Sequence, residues 1–530
     1  MPATLTYPGV YIEEIPSGVH TITGVATSIA AFVGWAPKGP TDKATLVQSF
    51  SDYQRDFGGL DSRSLFGNCV SQFFNNGGNE AYIVRLVADA AVVAANPADQ
   101  QAVPASVVIP GAGGDAFTVT AIDEGQWANT VYGIRIVANP ALANRFSVLV
   151  VYTPTGGQET TVETFTNLSL DPADLQLRSV ASVINDPETG SQFIRVTGIS
   201  TFLPTPNPLT VPPGASPYVL GSAVSGLDGT ILNPGTADFH TALNSDGTGT
   251  GGLHLLDTVP IFNLLCVPGE TDPTVIGNLQ TYCHSQRAFY IVDSKQSDTF
   301  SSLQGGPVGI TGDDAINSAF YFPWVNAPDP LQQGRLNSYP PCGFVAGIYA
   351  ATDAARGVWK APAGIDAGLS GESGLTVVLT DLQNGTLNVQ AINCLRHFPV
   401  YGDVVWGART LRGNDQVGSE WKYVPIRRMA LFLESSLYEG TQWVVFEPND
   451  ERLWGQIRLN VGAFMQGLFL QGAFQGTTPQ QAYFVKCDAE NNPQLSINMG
   501  VVNILVGFAP LVPAEFVVIQ IQQLAGQLQS

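Results

Sequence analysis

The sequence predicts a multi-domain protein of mixed α/β class, with an α/β core, an inserted β-rich domain and an extended strand-like arm at each end. Three patterns carry this reading. Strand and helix signals alternate over 253–385. A Thr-, Pro-, Gly- and Val-rich stretch with short strand signals between turns fills 91–252. Isolated apolar strands stand near both termini, fenced off by Pro and Gly.

The first arm, 1–21, contains "TYPGVYIEEIPSG". Tyr7-Pro8-Gly9 reads as a turn, with Pro preset for its second position and Gly free for its third. Val10, Tyr11, Ile12, Glu13, Glu14 and Ile15 then read as a strand of β-branched and aromatic residues, stopped by Pro16, Ser17 and Gly18. No tight hairpin follows to pair with it. Residues 22–90 read as a first compact core unit: a strand in "GVATSIAAFVGW", a second in "ATLV", a short helix N-capped by Ser51 and stopped by Gly58, a helix ending at Asn76-Gly77-Gly78, and a strand from Ala81 to Val87. Residues 91–252 read as an inserted all-β domain, with strands in "YGIRIVA", "FSVLVVY" and "QFIRVTGIS". Over 253–385, "VPIFNLLCVPG", a helical "PTVIGNLQTYCHSQ" and "RAFYIVDS" form a β-α-β pattern, which implies a parallel sheet.

The longest helices fall in 386–510. One starts at Pro425, repeats Ile426, Ala430, Leu433 and Leu437, and ends at Gly440. Another is capped by Asn449-Asp450 and carries Leu453, Ile457, Val461, Phe464 and Leu468 as a stripe. Strand-like "AYFVKC" and "GVVNILVGF" follow. The last segment, 511–530, alternates apolar Val517, Ile519 and Ile521 with Gln520 and Gln522 and forms the second arm.

Composition narrows the function. Only 13% of the 530 residues are charged, about half the usual share, while Gly and Pro number 56 and 36. That combination suits a β-rich chain whose surface is partly covered by other subunits. The net charge of −21 argues against nucleic acid, whose binders cluster Lys and Arg. Charge is also unevenly spread. Residues 91–260 hold no Lys, four Arg and fourteen acidic residues, whereas 391–460 hold eight of each sign. The N-terminus shows no basic-then-apolar leader pattern, so synthesis in the cytoplasm is expected, and no apolar run is long enough for direct membrane insertion.

The usual signatures of chemistry are missing. The six cysteines are scattered without CxxC or Cys/His spacing and read as isolated buried thiols. "GTGTGG" (Gly247 to Gly252) matches a dinucleotide-loop pattern but follows a helix, where such a loop must follow a strand, so it reads as a linker. Cys283 and His284 are adjacent on a helix and face different directions, so they cannot act as nucleophile and base. Asp293 ends a parallel strand, where an α/β enzyme places a carboxylate, but it has no partner group and reads as a solvated or capping Asp. No catalytic residue, metal site or cofactor is expected.

Several stretches together resemble the contractile tail sheath family of phage tails, pyocins and phage-like injection systems. "YPGVYIEE" resembles its opening, and "VQSFSDYQRDFGG" with "SQFFNNGGNEAYIVRL" its first core unit. "YFPWV", "PPCGFVAGIYAATDAARGVWKAPAG" and "LNVQAINCLRHFPVYGDVVWGARTL" resemble its central signatures, and "WKYVPIRRMALFLESSLYEGTQWVVFEPNDERLWGQIRLNVGAFMQGLFLQGAF" its C-terminal domain. The match covers both ends and most of 255–510; only 91–252 falls outside it. The resemblance implies a conserved core with a non-catalytic, subtilisin-like α/β domain. It also implies a helical homo-polymer around an inner tube protein, closed by baseplate and terminator or cap proteins, within a phage tail or released phage-like particle. Contraction then drives the tube through a target envelope without nucleotide hydrolysis.

Under that resemblance Tyr7 and Val10–Ile15, and Phe516, Val517, Val518, Ile519, Gln520 and Ile521, pair with neighbouring subunits. A strand with open N–H and C=O groups is a template for another chain. Gly9, Pro16, Gly18, Pro510 and Pro513 become hinge candidates. Arg427, Arg428, Asp450, Glu451, Arg452 and Arg458, in the charge-balanced segment, become candidates to face the tube through weak, reversible ion pairs. Two other functions fit parts of the pattern. A secreted α/β hydrolase with a β-rich accessory domain requires a leader and a convergent catalytic site; a terminator protein at the sheath end requires fewer arm features.

Overall fold

The computed structural model describes residues 20–208, 216–244, 251–307, 309–310 and 312–520. Its centre is an eight-stranded sheet drawn from three separate stretches of chain. In sequence order the strands are β1 (Ala30–Trp35), β2 (Thr45–Val47), β3 (Ala81–Leu86), β4 (Leu264–Cys266), β5 (Phe289–Asp293), β6 (Ser318–Phe322), β7 (Ile392–Phe398) and β8 (Gly402–Val405). Their spatial order is β8-β7-β6-β5-β4-β1-β3-β2. All neighbours are parallel except the outermost pairs, β7/β8 and β2/β3. The parallel sheet expected from 253–385 is therefore present. The strands of 22–90 extend it on one side, and Ile392–Val405, placed by sequence in the last domain, completes it on the other.

This sheet is buried on both faces, as a parallel sheet must be. Along β1, Ala31, Val33 and Trp35 enter one apolar cluster while Ala30 and Phe32 enter the other. Along β5, Tyr290 and Val292 split from Phe289 and Ile291 in the same way. Helix α3 (Pro273–Ser285) covers the first face with Ile276, Leu279 and Cys283. The second is covered by α2 (Phe66–Asn75) and α4 (Cys342–Arg356), through Val70 and Phe73 and through Phe344, Val345 and Tyr349. The short helix α1 (Phe50–Phe57) ends as expected at Gly58, whose φ of 87° is left-handed. Its N-cap is Ser49, not Ser51: the Ser49 hydroxyl accepts the Asp52 N–H at 3.1 Å.

Between β3 and β4 the chain leaves the core to build two antiparallel sheets, of four strands and three, around their own apolar cluster. That cluster runs from Ala105 to Leu220, a shorter span than 91–252. Val92 at one end, and Leu232, Phe239 and Leu243 at the other, pack into the α/β core.

The last cluster is built on two long helices, α6 (Val424–Gly440) and α7 (Glu451–Leu470). Asp450 caps α7 by accepting the Leu453 N–H at 3.0 Å. Met465, not Phe464, is the fully buried member of its stripe beside Leu453, Ile457, Val461 and Leu468. A two-stranded antiparallel sheet, β9 (Tyr483–Lys486) with β10 (Leu505–Phe508), lies on this cluster. Among the described residues no helix is long and apolar enough to cross a membrane.

Candidate functional site

Two places in the fold could carry function: the crevice at the carboxyl ends of the parallel strands, and the C-terminal domain, on which His20 and Ile22 dock.

The crevice opens between β1 and β4, from which the chain winds in opposite directions. Open α/β sheets bind ligands at such a switch point. Here a cavity of about 310 Å³ is lined by Trp35, Arg63, Phe239, Gly269 and Trp324. Its one cation, Arg63, stacks over Trp35 and is held by Asp61 and Asp228, each at 2.7 Å. Nearby Asp293 is not solvated. It is buried, its two oxygens accepting the Gly269 N–H at 2.9 Å and the Cys342 N–H at 2.8 Å. It therefore caps the first turn of α4 from a neighbouring strand. Cys283 is buried, while His284 is half-exposed and paired with Asp314. Among the described residues no three His, Cys, Asp or Glu side chains gather to hold a metal ion.

Burial pushes the Asp293 carboxyl up to about 6. The native state then binds its proton more tightly than the unfolded chain does. The associated stability is full below the unfolded value near 4 and is lost as pH rises through 6. Asp293→Asn removes that dependence. Wild type is expected to gain about 2 kcal/mol relative to the variant between pH 7 and pH 4. Urea unfolding at the two pH values measures it, and an unchanged difference refutes it.

At the C-terminal domain, β9 and β10 turn Tyr483, Val485, Val506 and Phe508 onto the cluster beneath. Phe484 and Leu505, on the other face, are about half exposed. Among the described residues no third strand joins this pair, and a two-stranded sheet is marginal alone. The body's first described residues dock on the same domain. The His20 ring stacks on Trp443 at 4.3 Å, and Ile22 is buried against Gly440.

The predicted N-terminal strand (Tyr7, Val10–Ile15) and its hinge candidates Gly9, Pro16 and Gly18 lie outside the described residues, as does Ile521. Phe516, Val517, Val518 and Ile519 are 76–81% exposed, Gln520 is exposed too, and none of the five belongs to a strand of this chain. Pro510 pairs with Phe474, and Pro513 lines a groove of about 990 Å³ with Trp359, Trp406 and Tyr423.

Two expected tube contacts are corrected. Arg427 and Arg428 are only 4% and 3% exposed. Arg427 donates to Asn317 at 3.0 Å and pairs with Glu434 at 3.2 Å. Arg428 binds both oxygens of Asp353, at 2.9 and 2.6 Å, and the Thr27 carbonyl at 2.8 Å, beneath Tyr349. Their charges face inward because Asn317 and Asp353, on the α/β core, bind them, with Glu434 two turns along the same helix completing the Arg427 site. Asp450 is occupied as a helix cap. Glu451 and Arg458 pair with each other at 2.7 Å, and Arg452 is exposed beside them.

One clustered carboxylate escaped sequence reasoning. Glu515 interrupts an otherwise apolar stretch, and there it looks like ordinary solvation. In the structure its two oxygens take a bidentate bond from Arg409 at 2.7 Å each, one from Asn388 at 2.7 Å and one from the Tyr423 hydroxyl at 3.0 Å. Burial works against its charge, but these donors more than offset it and hold the carboxyl below its usual range. The lone signal in the sequence is a carboxylate between Pro513 and Phe516; its partners are 92 to 127 residues away.

Solved structures share this architecture over nearly the whole chain. The sheath of the anti-feeding prophage in its contracted state is 23% identical, with a TM-score of 0.57, covering 98% of this chain and 100% of that one. The contracted PVC sheath complex, from an extracellular contractile injection system, is 21% identical, with a TM-score of 0.57 and 98% of each chain covered. A sheath tail protein of Listeria innocua is 12% identical, with a TM-score of 0.59, covering 92% and 96%. The fold is that of contractile sheath subunits. Residues 416–523 match the family model for the phage tail sheath C-terminal domain. A tail sheath protein of Vibrio phage KVP40 is 24% identical over 233 residues, 41% of this chain and 33% of that protein. The alignment thus spans a third of that relative's length. The C-terminal domain is thus similar to that of phage tail sheath proteins, and the fold to that of solved sheath subunits.

Proposed function

We propose that the protein is the structural subunit of a contractile sheath, in a phage tail or an extracellular phage-like injection system. It polymerises helically around an inner tube and, on contracting, drives the tube forward. The observation that supports this best is an exposed apolar stretch, 516–519, that belongs to no strand, together with a two-stranded sheet that no third strand joins among the described residues. Such features suit strand pairing between copies. A head-to-tail contact that does not close generates a helix of subunits. Each added hydrogen bond is worth about 1 kcal/mol net, and every subunit repeats the set.

The partners follow from that reading: other copies of the chain, an inner tube protein, and baseplate and cap proteins at the ends. Relatives of known structure were solved in a helical sheath and in baseplates. Arg452, with Asp450, Glu451 and Arg458 on the first turns of α7, is the remaining candidate for the tube contact. The four arginines of the insertion include Arg135 and Arg145, paired with Glu159 and Asp174; the acidic excess stays uncompensated and suits an outward, particle-repelling surface.

Deleting residues 1–18 tests the assembly. The truncated subunit is expected to fold, since the described cores begin at Ile22, yet to build no stable sheath when co-expressed with the tube. Electron microscopy reads the result: striated tubes of normal length from the truncated chain refute the role of the N-terminal arm.

A further inference from the structure

We propose that Glu515 is a positioning residue that fixes the root of the C-terminal arm to the eight-stranded sheet, so that the free arm begins at Phe516. This rests on the sheath reading for its purpose, but not for its geometry. On one side of Glu515 the chain is tied down: Pro510 bridges Phe474, and Glu515 itself takes four hydrogen bonds. One residue later, Phe516 is 76% exposed, and Val517 to Ile519 are similar. Pro510 and Pro513, the hinge candidates, therefore stand on the anchored side, and the pivot falls at Glu515–Phe516.

The anchor is deep. The Arg409 side chain is 1% exposed and also binds Asp415 at 3.0 Å. Its backbone N–H donates to Asn393 at 2.7 Å, and Asn393 donates back to the Arg409 carbonyl at 2.8 Å. Asn393 belongs to β7, and Asn388 to helix α5 (Asp381–Val389) packed beside it. A bidentate Arg–carboxylate pair is among the stronger and more directional polar contacts. A pull on the arm thus passes at Glu515 into the core sheet. Without the clamp it would pass along 509–515 into the four-residue strand β10, half of a marginal sheet.

The clamp also sets reach. Anchoring the chain at Glu515 rather than at Pro510 takes five residues, about 16 Å of extended chain, out of the arm. That length is about three strand spacings, enough to decide which neighbouring copy an arm can meet.

The test uses the full-length subunit with a nitroxide on a cysteine introduced at exposed Ala514 or, separately, at Val518; the six native thiols are buried and spared. The label at 514 is expected to tumble at least fivefold more slowly than at 518. Glu515→Ala should bring 514 to the speed of 518, with Glu515→Gln in between, as it keeps one acceptor and serves as well if the alanine variant folds poorly. A wild-type label at 514 already as fast as at 518, or unmoved by either variant, overturns the clamp. Glu515→Ala subunits co-expressed with the tube should build sheaths that shed subunits under shear where wild type holds. If the root is freed but the sheaths hold equally well, the positioning role is wrong. If wild type builds no sheath at all, the sheath reading falls, while the spin label still decides the clamp.

Discussion

A chain ending at Glu515 is expected to fold like the full-length protein and to remain monomeric, or in short oligomers, when co-expressed with the proposed tube protein. Nothing in the described cores depends on what is removed: Phe516 to Ile519 are 76–81% exposed and enter no apolar cluster. The thermal midpoint should therefore move by no more than about 2 °C, the size of a surface-level change in a chain this long. The effect on assembly is much larger. A strand of five or six residues adds several inter-chain hydrogen bonds at about 1 kcal/mol net each. If half of Phe516, Val517, Val518 and Ile519 become buried, roughly 3–6 kcal/mol of apolar transfer is added. A loss on that scale raises the concentration needed for subunit addition by a factor of 10³ or more. Sedimentation of the isolated subunit and electron microscopy of the co-expressed sheath measure both halves. Normal sheaths from the truncated chain would refute strand exchange through this arm. The removal of four exposed apolar side chains should also make the truncated subunit more soluble, as expected on losing an exposed apolar edge.

Much of the body was legible because its signals are local. The period-two and helical patterns of 22–90, the Pro at the start of α6, the Asp450 cap and the β-α-β of 253–293 are each decided within a few residues. What was illegible depends on distance along the chain. The strands β7 and β8 look like part of the final domain because they precede its helices, but pairing of β7 with β6 draws them into the core. Ser49 and Ser51 offer the same capping chemistry to α1, and only the backbone trace decides between them. Asp293 was read as a solvated or capping group; it does cap, but across space and without solvent. The adjacent charges of Arg427 and Arg428 look like surface until their partners, 110 and 75 residues away, are in place. Glu515 is the same case in reverse, a single acidic residue whose hydrogen bonds all come from Arg409, Asn388 and Tyr423, far along the chain.

The buried pair Arg428–Asp353 separates the two readings of that charged segment by the size and kind of effect. Both side chains are 3% exposed, and the guanidinium spans two carboxylate oxygens and the Thr27 carbonyl beneath Tyr349. Asp353→Asn leaves a buried cation with only neutral acceptors, the Thr27 carbonyl and one amide oxygen, and breaking such a pair from one side costs about 3–5 kcal/mol. That is a large share of the 5–15 kcal/mol that typically holds a native protein together. The variant is therefore expected to unfold at markedly lower urea and to assemble poorly only because less of it is folded. The reverse pattern, unchanged urea stability with loss of the tube alone, would restore Arg428 as a tube contact. The double replacement Arg428→Met with Asp353→Leu sharpens the test. It removes both charges together, so no unpaired cation stays buried, and apolar pairs of similar volume often match or exceed a buried ion pair. Recovery of most of the lost stability, with sheath assembly restored, would show that this arginine serves the joint between the α/β core and helix α6. A double variant that is stable but fails to bind the tube would show the opposite.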